Sequence, residues 1–271
     1  MDIELLVPDV ADLVTEDDTP VDNFASEKQQ RLLTGVLYSA LCGKTFLAAA
    51  NVGIYTAIGR PPIVPDVFLS LDVTVPEQWW EKQNRCYLLW LFDKPPDVVV
   101  EIVSNREGDE LESKLSRYEQ MRVSYYVVFD PNHELGTEEL RIFELRGRHY
   151  VEMTETWLEQ VGLGLTVWDG VFEAKQARWL RWCDAQGQLL LTGDEQAHLE
   201  RQRAEQEHQR AEQEHQRAEQ ERQRAEQERQ RAEQERQRAE QERQRAERER
   251  RRAERLAEQL RALGQEPDVE G

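Results

Sequence analysis

Cysteine is scarce, and the three present, Cys42, Cys86 and Cys183, are odd in number, far apart and without a C-x-x-C spacing. That excludes a disulfide framework and a cysteine zinc site, and it fits a reducing compartment. No run of 18 uncharged apolar residues occurs, and Met1 to Asp22 is acidic with no continuous apolar stretch. Neither a membrane span nor a signal peptide is expected, and the expected location is cytoplasmic. Positive charge is also short: 35 Lys and Arg stand against 54 Asp and Glu, a net of −19. A field of that sign repels phosphate backbones and argues against tight non-specific nucleic-acid binding. Metal-binding carboxylates are themselves negative, however, and a local basic rim can still guide a strand.

Residues 201–250 hold no aromatic residue and no aliphatic one larger than alanine; they repeat Arg-Ala-Glu-Gln-Glu-His/Arg-Gln every seven residues. Such a segment cannot build a packed core. It contains 14 Arg and 14 Glu, and residues 251–271 add four Arg and five acids, so the tail nearly cancels. The acidity lies in residues 1–200, with 17 basic and 35 acidic side chains and a net of −18. With Ala204 and its successors through Ala253 at a, the d positions are Glu207 through Glu249, so an oily seam is absent. Pairs such as Glu207 with Arg210 and Arg210 with Glu214 each contribute roughly 0.2–0.5 kcal/mol, and many of them favour one long helix. Leu256, Leu260 and Leu263 form a short apolar stripe suited to self-association or a protein partner. The expected organisation is an irregular lead-in over 1–24, one α/β (α+β) domain over 25–199, a charged heptad helix over 200–263 and a disordered end over 264–271.

Within the domain, Ser26 followed by Glu27 offers an N-cap, and Leu32, Leu33, Val36, Leu37 and Leu41 recur at helical spacing. Strands are expected near 46–56 and at 66–71, and residues 74–94 read as an insertion with exposed tryptophans. Asp97 to Ser104 is a β-branched run suited to a buried strand. Leu111, Leu115, Tyr118 and Met121 then mark a helix, and Tyr125 to Phe129 a strand. Leu140 to Leu145 and His149 to Met153 form a hairpin around Gly147, and Val171 to Trp182 suggests a closing helix or edge element.

Glu101 interrupts Val98, Val99, Val100, Ile102 and Val103, and burying a carboxylate there costs several kcal/mol unless it is paired or binds a metal. Asp66, after Pro65 at the start of another strand, would complete a two-carboxylate Mg²⁺ site if the strands are neighbours. Lys114 could reach the same end of the sheet and stabilise charge developing on phosphorus, and Glu27 could add a carboxylate. Each residue also has an ordinary reading: a Glu101–Lys114 salt bridge, a turn cap at Asp66, a helix-dipole partner at Glu27. Ser104 lacks a His and acid arrangement that would make it a nucleophile, and His133 and His149 read as surface residues.

The order Glu27, Pro65, Asp66, Glu101 to Ser104, Lys114, Tyr118 and a Tyr-rich strand resembles the Uma-two family of restriction-endonuclease-like proteins. The run Pro96, Asp97, Val98, Val99, Val100, Glu101, Ile102, Val103 and Ser104 fits its pattern closely. The resemblance implies a PD-(D/E)XK-type mixed central sheet flanked by helices, with Asp66, Glu101 and Ile102 holding Mg²⁺ or Mn²⁺. It also implies that Lys114 replaces the class lysine, because Val103 stands two residues after Glu101, and that Glu27 sits near the metal. Asp97 is excluded as the partner carboxylate, since four extended residues span about 13 Å. The chain departs from the family where Gly-Val-x-Glu-Tyr-Trp is usual, reading Arg122, Val123, Ser124, Tyr125, Tyr126 and Val127, and in the insertion carrying Trp79, Trp80 and Trp90.

The expected function is phosphodiester hydrolysis of nucleic acid, DNA ahead of RNA, by Asp66, Glu101, Lys114 and Glu27. The rival is a non-catalytic scaffold presented to a partner by the helical tail, which the acidic domain and the repeat favour.

Overall fold

The computed structural model describes residues 23–104 and 110–262, so the expected lead-in up to residue 22, Leu263 and the end over 264–271 lie outside the described residues. The chain divides into two units, residues 1–198 and 199–271.

In the first unit, α1 (Phe24–Ala40) is capped by Asn23, whose side chain accepts from the amides of Ala25 and Ser26. Ser26 is therefore inside the helix, not its cap, because Asn23 takes two of the orphan first-turn donors. The expected strand over 46–56 divides into β1 (Phe46–Ala50) and β2 (Ile54–Tyr55), since Asn51 adopts a left-handed φ of 54° that ends the ladder. There follow β3 (Val67–Leu71), a 3₁₀ turn at Lys82–Asn84, β4 (Tyr87–Leu88), α2 (Leu89–Phe92) and β5 (Val98–Ile102). A single π turn at Glu110–Lys114 leads into α3 (Leu115–Met121), then β6 (Tyr125–Phe129), β7 (Leu140–Arg146) and β8 (His149–Glu152). The unit closes with β9 (Trp157–Leu158), β10 (Leu163–Phe172) and β11 (Lys175–Cys183).

Six strands form a mixed sheet in the order β1-β3-β5-β6-β7-β8, parallel between β5 and β6 and antiparallel elsewhere. The connection from β5 to β6 runs through the α3 segment, as a parallel pair requires. Alternation divides β5 between two cores. Val98, Val100 and Ile102 pack with Leu33 and Leu37 of α1, whereas Val99 and Val103 pack with Tyr118 and Met121 of α3. A buried strand flanked on both faces accounts for the nearly unbroken valine run.

The expected closing element over 171–182 contains no helix; it is the hairpin β10–β11. Its two-residue turn, Glu173 and Ala174, has both residues at positive φ, the geometry of a type I′ turn. The usual Asn-Gly signal is absent, which is why the sequence pattern did not reveal it. This second sheet packs on α1 through Trp179, Leu180 and Trp182. Gln29 fastens the two, donating to the Leu180 carbonyl at 2.8 Å and accepting from the Leu180 amide at 2.9 Å.

The final helix, α4 (Gly193–Ala262), starts with a capping box: Thr192 Oγ1 accepts from the Glu195 amide, and Glu195 accepts from the Thr192 amide. Glu195 also receives Arg181, whose side chain is only 1% exposed. In the second unit the helix has no buried residue, and its residues 199–262 span about 96 Å at 1.5 Å per residue. Arg250–Glu254 and Glu247–Arg251 are i,i+4 ion pairs on its surface. No helix among the described residues is long and apolar enough to cross a membrane.

Candidate active site

The register brings the two sequence-selected carboxylates together. Val67 of β3 pairs with Val100 of β5, and continuing that register by one residue would set Asp66 opposite Glu101. Directly opposite residues in an antiparallel pair have Cβ atoms about 4.5–5.5 Å apart. Asp66 is 8% exposed and Glu101 only 1%. Asp66 Oδ2 accepts from the Ile102 amide at 2.6 Å, which anchors it against the peptide that follows Glu101.

Glu101 receives both cation and phenol from the α3 segment. Lys114 Nζ lies 3.1 Å from Oε2, and the Tyr118 hydroxyl donates to Oε1 at 2.7 Å. Burial, followed by the neighbouring Glu101 charge, holds the Tyr118 phenol well above its ordinary range, so it remains a proton donor. The Lys114 side chain keeps 29% exposure and joins the buried carboxylate to the surface.

Two residues that motif reasoning did not select complete the arrangement. Gln30 Nε2 donates to Asp66 Oδ1 at 2.9 Å, and Asn51 Nδ2 donates to Gln30 Oε1 at 2.9 Å. Gln30 is 3% exposed and lies three residues before Leu33 and seven before Leu37. A polar residue continuing an apolar helical stripe was the available signal.

Glu27 stands apart from this group. It is exposed, and its carboxylate pairs with Arg31 at 3.0 Å, so the residue of α1 that touches Asp66 is Gln30. Asp97 is also elsewhere, held by Lys94 at 2.6 Å and by the Leu71 amide at 2.7 Å. Ser104 is exposed at the end of β5, and His149 is an 83% exposed side chain 3.5 Å from Glu119.

Among the described residues no group of three or more His, Cys, Asp or Glu is arranged to hold a metal ion. Two carboxylates and the backbone of Ile102 nevertheless offer only hard oxygen donors. Mg²⁺ accepts that set because it commonly keeps several waters and takes one or two carboxylates. A carboxylate has about four lone-pair sites, so one hydrogen bond on each oxygen is compatible with ligation. The donor chemistry therefore fits Mg²⁺ or Mn²⁺, and Asp66, Glu101 and Ile102 are residues that could hold it.

The model of the Uma2 family, described as "Putative restriction endonuclease", matches residues 16–166. The chain belongs to that family. No curated protein matches it. Among solved structures, it is similar to a "putative nuclease belonging to DUF820" from Anabaena variabilis, with 14% identity, a TM-score of 0.37, and coverage of 51% of this chain and 72% of the other.

Proposed function

We propose that the protein is a divalent-metal-dependent endonuclease that hydrolyses phosphodiester bonds, in DNA ahead of RNA. The observation that carries this reading is the juxtaposition of Asp66 and Glu101 at the end of two buried strands, with Lys114 on the same carboxylate. A bound Mg²⁺ or Mn²⁺ would supply Lewis acidity toward a phosphoryl oxygen and lower the pKa of a ligated water. Gln30 and the Ile102 amide orient Asp66, and Tyr118 fixes the rotamer of Glu101. Lys114 would balance the negative charge that builds on the non-bridging phosphoryl oxygens during attack. Glu27 is a surface ion-pair residue in this scheme, and its loss should leave cleavage largely intact.

A specific observation favours the scaffold alternative: both Glu101 oxygens already have donors, in a domain of net −18. The decisive assay incubates supercoiled DNA, single-stranded DNA and RNA with Mg²⁺, Mn²⁺ or EDTA, beside Glu101→Gln and Asp66→Asn. Metal-dependent cleavage lost in both variants is expected. Cleavage equal in the variants, or absent throughout, would transfer the reading to the scaffold.

A further inference from the structure

The domain engages many of its cations with its own acids: Lys28 and Arg31 share Glu173, Arg141 holds Glu152, and Arg178 holds Glu139. Arg60 and Arg117 differ. The Arg60 side chain has no hydrogen-bond or ion-pair partner among the described residues, and it is exposed. Arg117, also exposed, donates to the Pro62 carbonyl at 3.0 Å, an interaction that leaves its charge uncompensated.

The two share one cleft of about 440 Å³ between the 54–63 segment and α3, with Thr56 and Gln120 as further polar walls over Ile54 and Ile63. Among the described residues lining it, none is acidic. In a domain with twice as many acids as bases, a cavity lined by two arginines and no carboxylate is a local reversal of field. Two guanidinium forks present planar donors that suit phosphate oxygens.

The cleft is joined to the active site through α3. Arg117 is the third residue of α3 and follows Lys114, the last residue of the π turn, by three positions. It also immediately precedes Tyr118, which holds Glu101.

We propose that the Arg60–Arg117 cleft binds a backbone phosphate of the nucleic-acid strand beside the scissile bond, with Lys114 serving the scissile phosphate. This rests on the nuclease reading and adds the path of the substrate. It explains how an acidic domain draws a polyanion to a carboxylate site: the attraction is local, and the surrounding field rejects other alignments.

The test measures binding separately from cleavage. Fluorescein-labelled single-stranded and duplex DNA are titrated with full-length Glu101→Gln protein in Mg²⁺ across a salt series. The same titration is run with Arg60→Gln and Arg117→Gln added together. Each lost phosphate contact removes about 0.7 (single strand) or 0.9 (duplex) from the slope of log K against log salt. The double substitution, which removes that one phosphate contact, is therefore expected to reduce the slope by about 0.7 on the single strand and about 0.9 on the duplex. Arg60→Lys with Arg117→Lys should retain most of the slope, and tryptophan-monitored urea midpoints should stay unchanged across the set. Intact binding with the same slope in the Gln pair overturns the cleft and leaves the nuclease reading standing. Displacement of the DNA by inorganic phosphate at matched phosphate concentration would make it a small-anion site and overturn the strand assignment. A protein that neither binds nor cleaves nucleic acid overturns both.

Discussion

Replacing Lys114 with methionine isolates the electrostatic problem at the centre of the site. Glu101 is 1% exposed, so its charge has little water and depends on Lys114 at 3.1 Å and Tyr118 at 2.7 Å. Removing one partner of a fully buried pair costs about 3–5 kcal/mol, because the remaining ion is left uncompensated. Lys114 retains 29% exposure, so water screens part of its interaction, and a loss of about 2–3 kcal/mol is expected. In a domain of this size that lowers the melting midpoint by roughly 4–12 °C. Glu101→Gln combined with Lys114→Met removes both charges and should return to within about 1 kcal/mol of the parent. All seven tryptophans lie before residue 199, so urea unfolding followed by their fluorescence reports the domain without the α4 signal. A Lys114→Met loss under about 0.5 kcal/mol, or a double variant as destabilised as the sum of the singles, would refute the uncompensated-charge argument.

Three further outcomes follow from other parts of the chain. For Glu195, burial alone would raise the carboxyl pKa, but the Arg181 and Thr192 bonds outweigh it and hold it below the ordinary value. A depressed folded pKa gives stability that is present above the unfolded value near 4.3 and lost as pH falls through the folded one. The stability difference between wild type and Glu195→Gln should therefore be largest above pH ~5 and shrink below pH ~4 in acid titrations of the urea midpoint; a constant difference would sink the linkage. Arg122 sits at φ 68° as the C-cap of α3, where its Cβ strains the backbone, although its guanidinium reaches the Gly147 carbonyl. Arg122→Gly should stabilise the domain by about 0.5–1 kcal/mol in chemical denaturation, and a loss would show that the Gly147 bond outweighs the strain. If Leu256, Leu260 and Leu263 mediate self-association, Leu256→Gln with Leu260→Gln should abolish any rise of sedimentation coefficient with concentration. A concentration-independent monomer in the parent would remove that role.

The parts legible in the sequence are those where local pattern and tertiary demand coincide. The valine run around Glu101 implied a buried strand and an anomalous charge, and both are present because β5 is covered on both faces. Asp66 was recoverable from its Pro65 neighbour, although its placement beside the Glu101–Ile102 peptide depends on the β3–β5 register, which no local signal specifies. Glu27 stands out in the sequence because a carboxylate suggests chemistry, whereas the amide of Gln30 carries no such signal. The helix decides otherwise by rotation: Gln30 shares the buried face with Leu33 and Leu37, while Glu27 falls in solvent with Arg31. The β10–β11 hairpin escaped for a related reason, since Glu173 and Ala174 adopt left-handed conformations that neither residue type announces. Their turn delivers Glu173 to Lys28 and Arg31 on α1, so the contact that holds this turn joins residues some 140 positions apart. A turn stabilised from outside its own segment leaves no local trace, and the same holds for the Gln30–Asp66 bond. In both, the sequence supplies ordinary polar residues, and the packing of α1 between two sheets turns them into specific contacts.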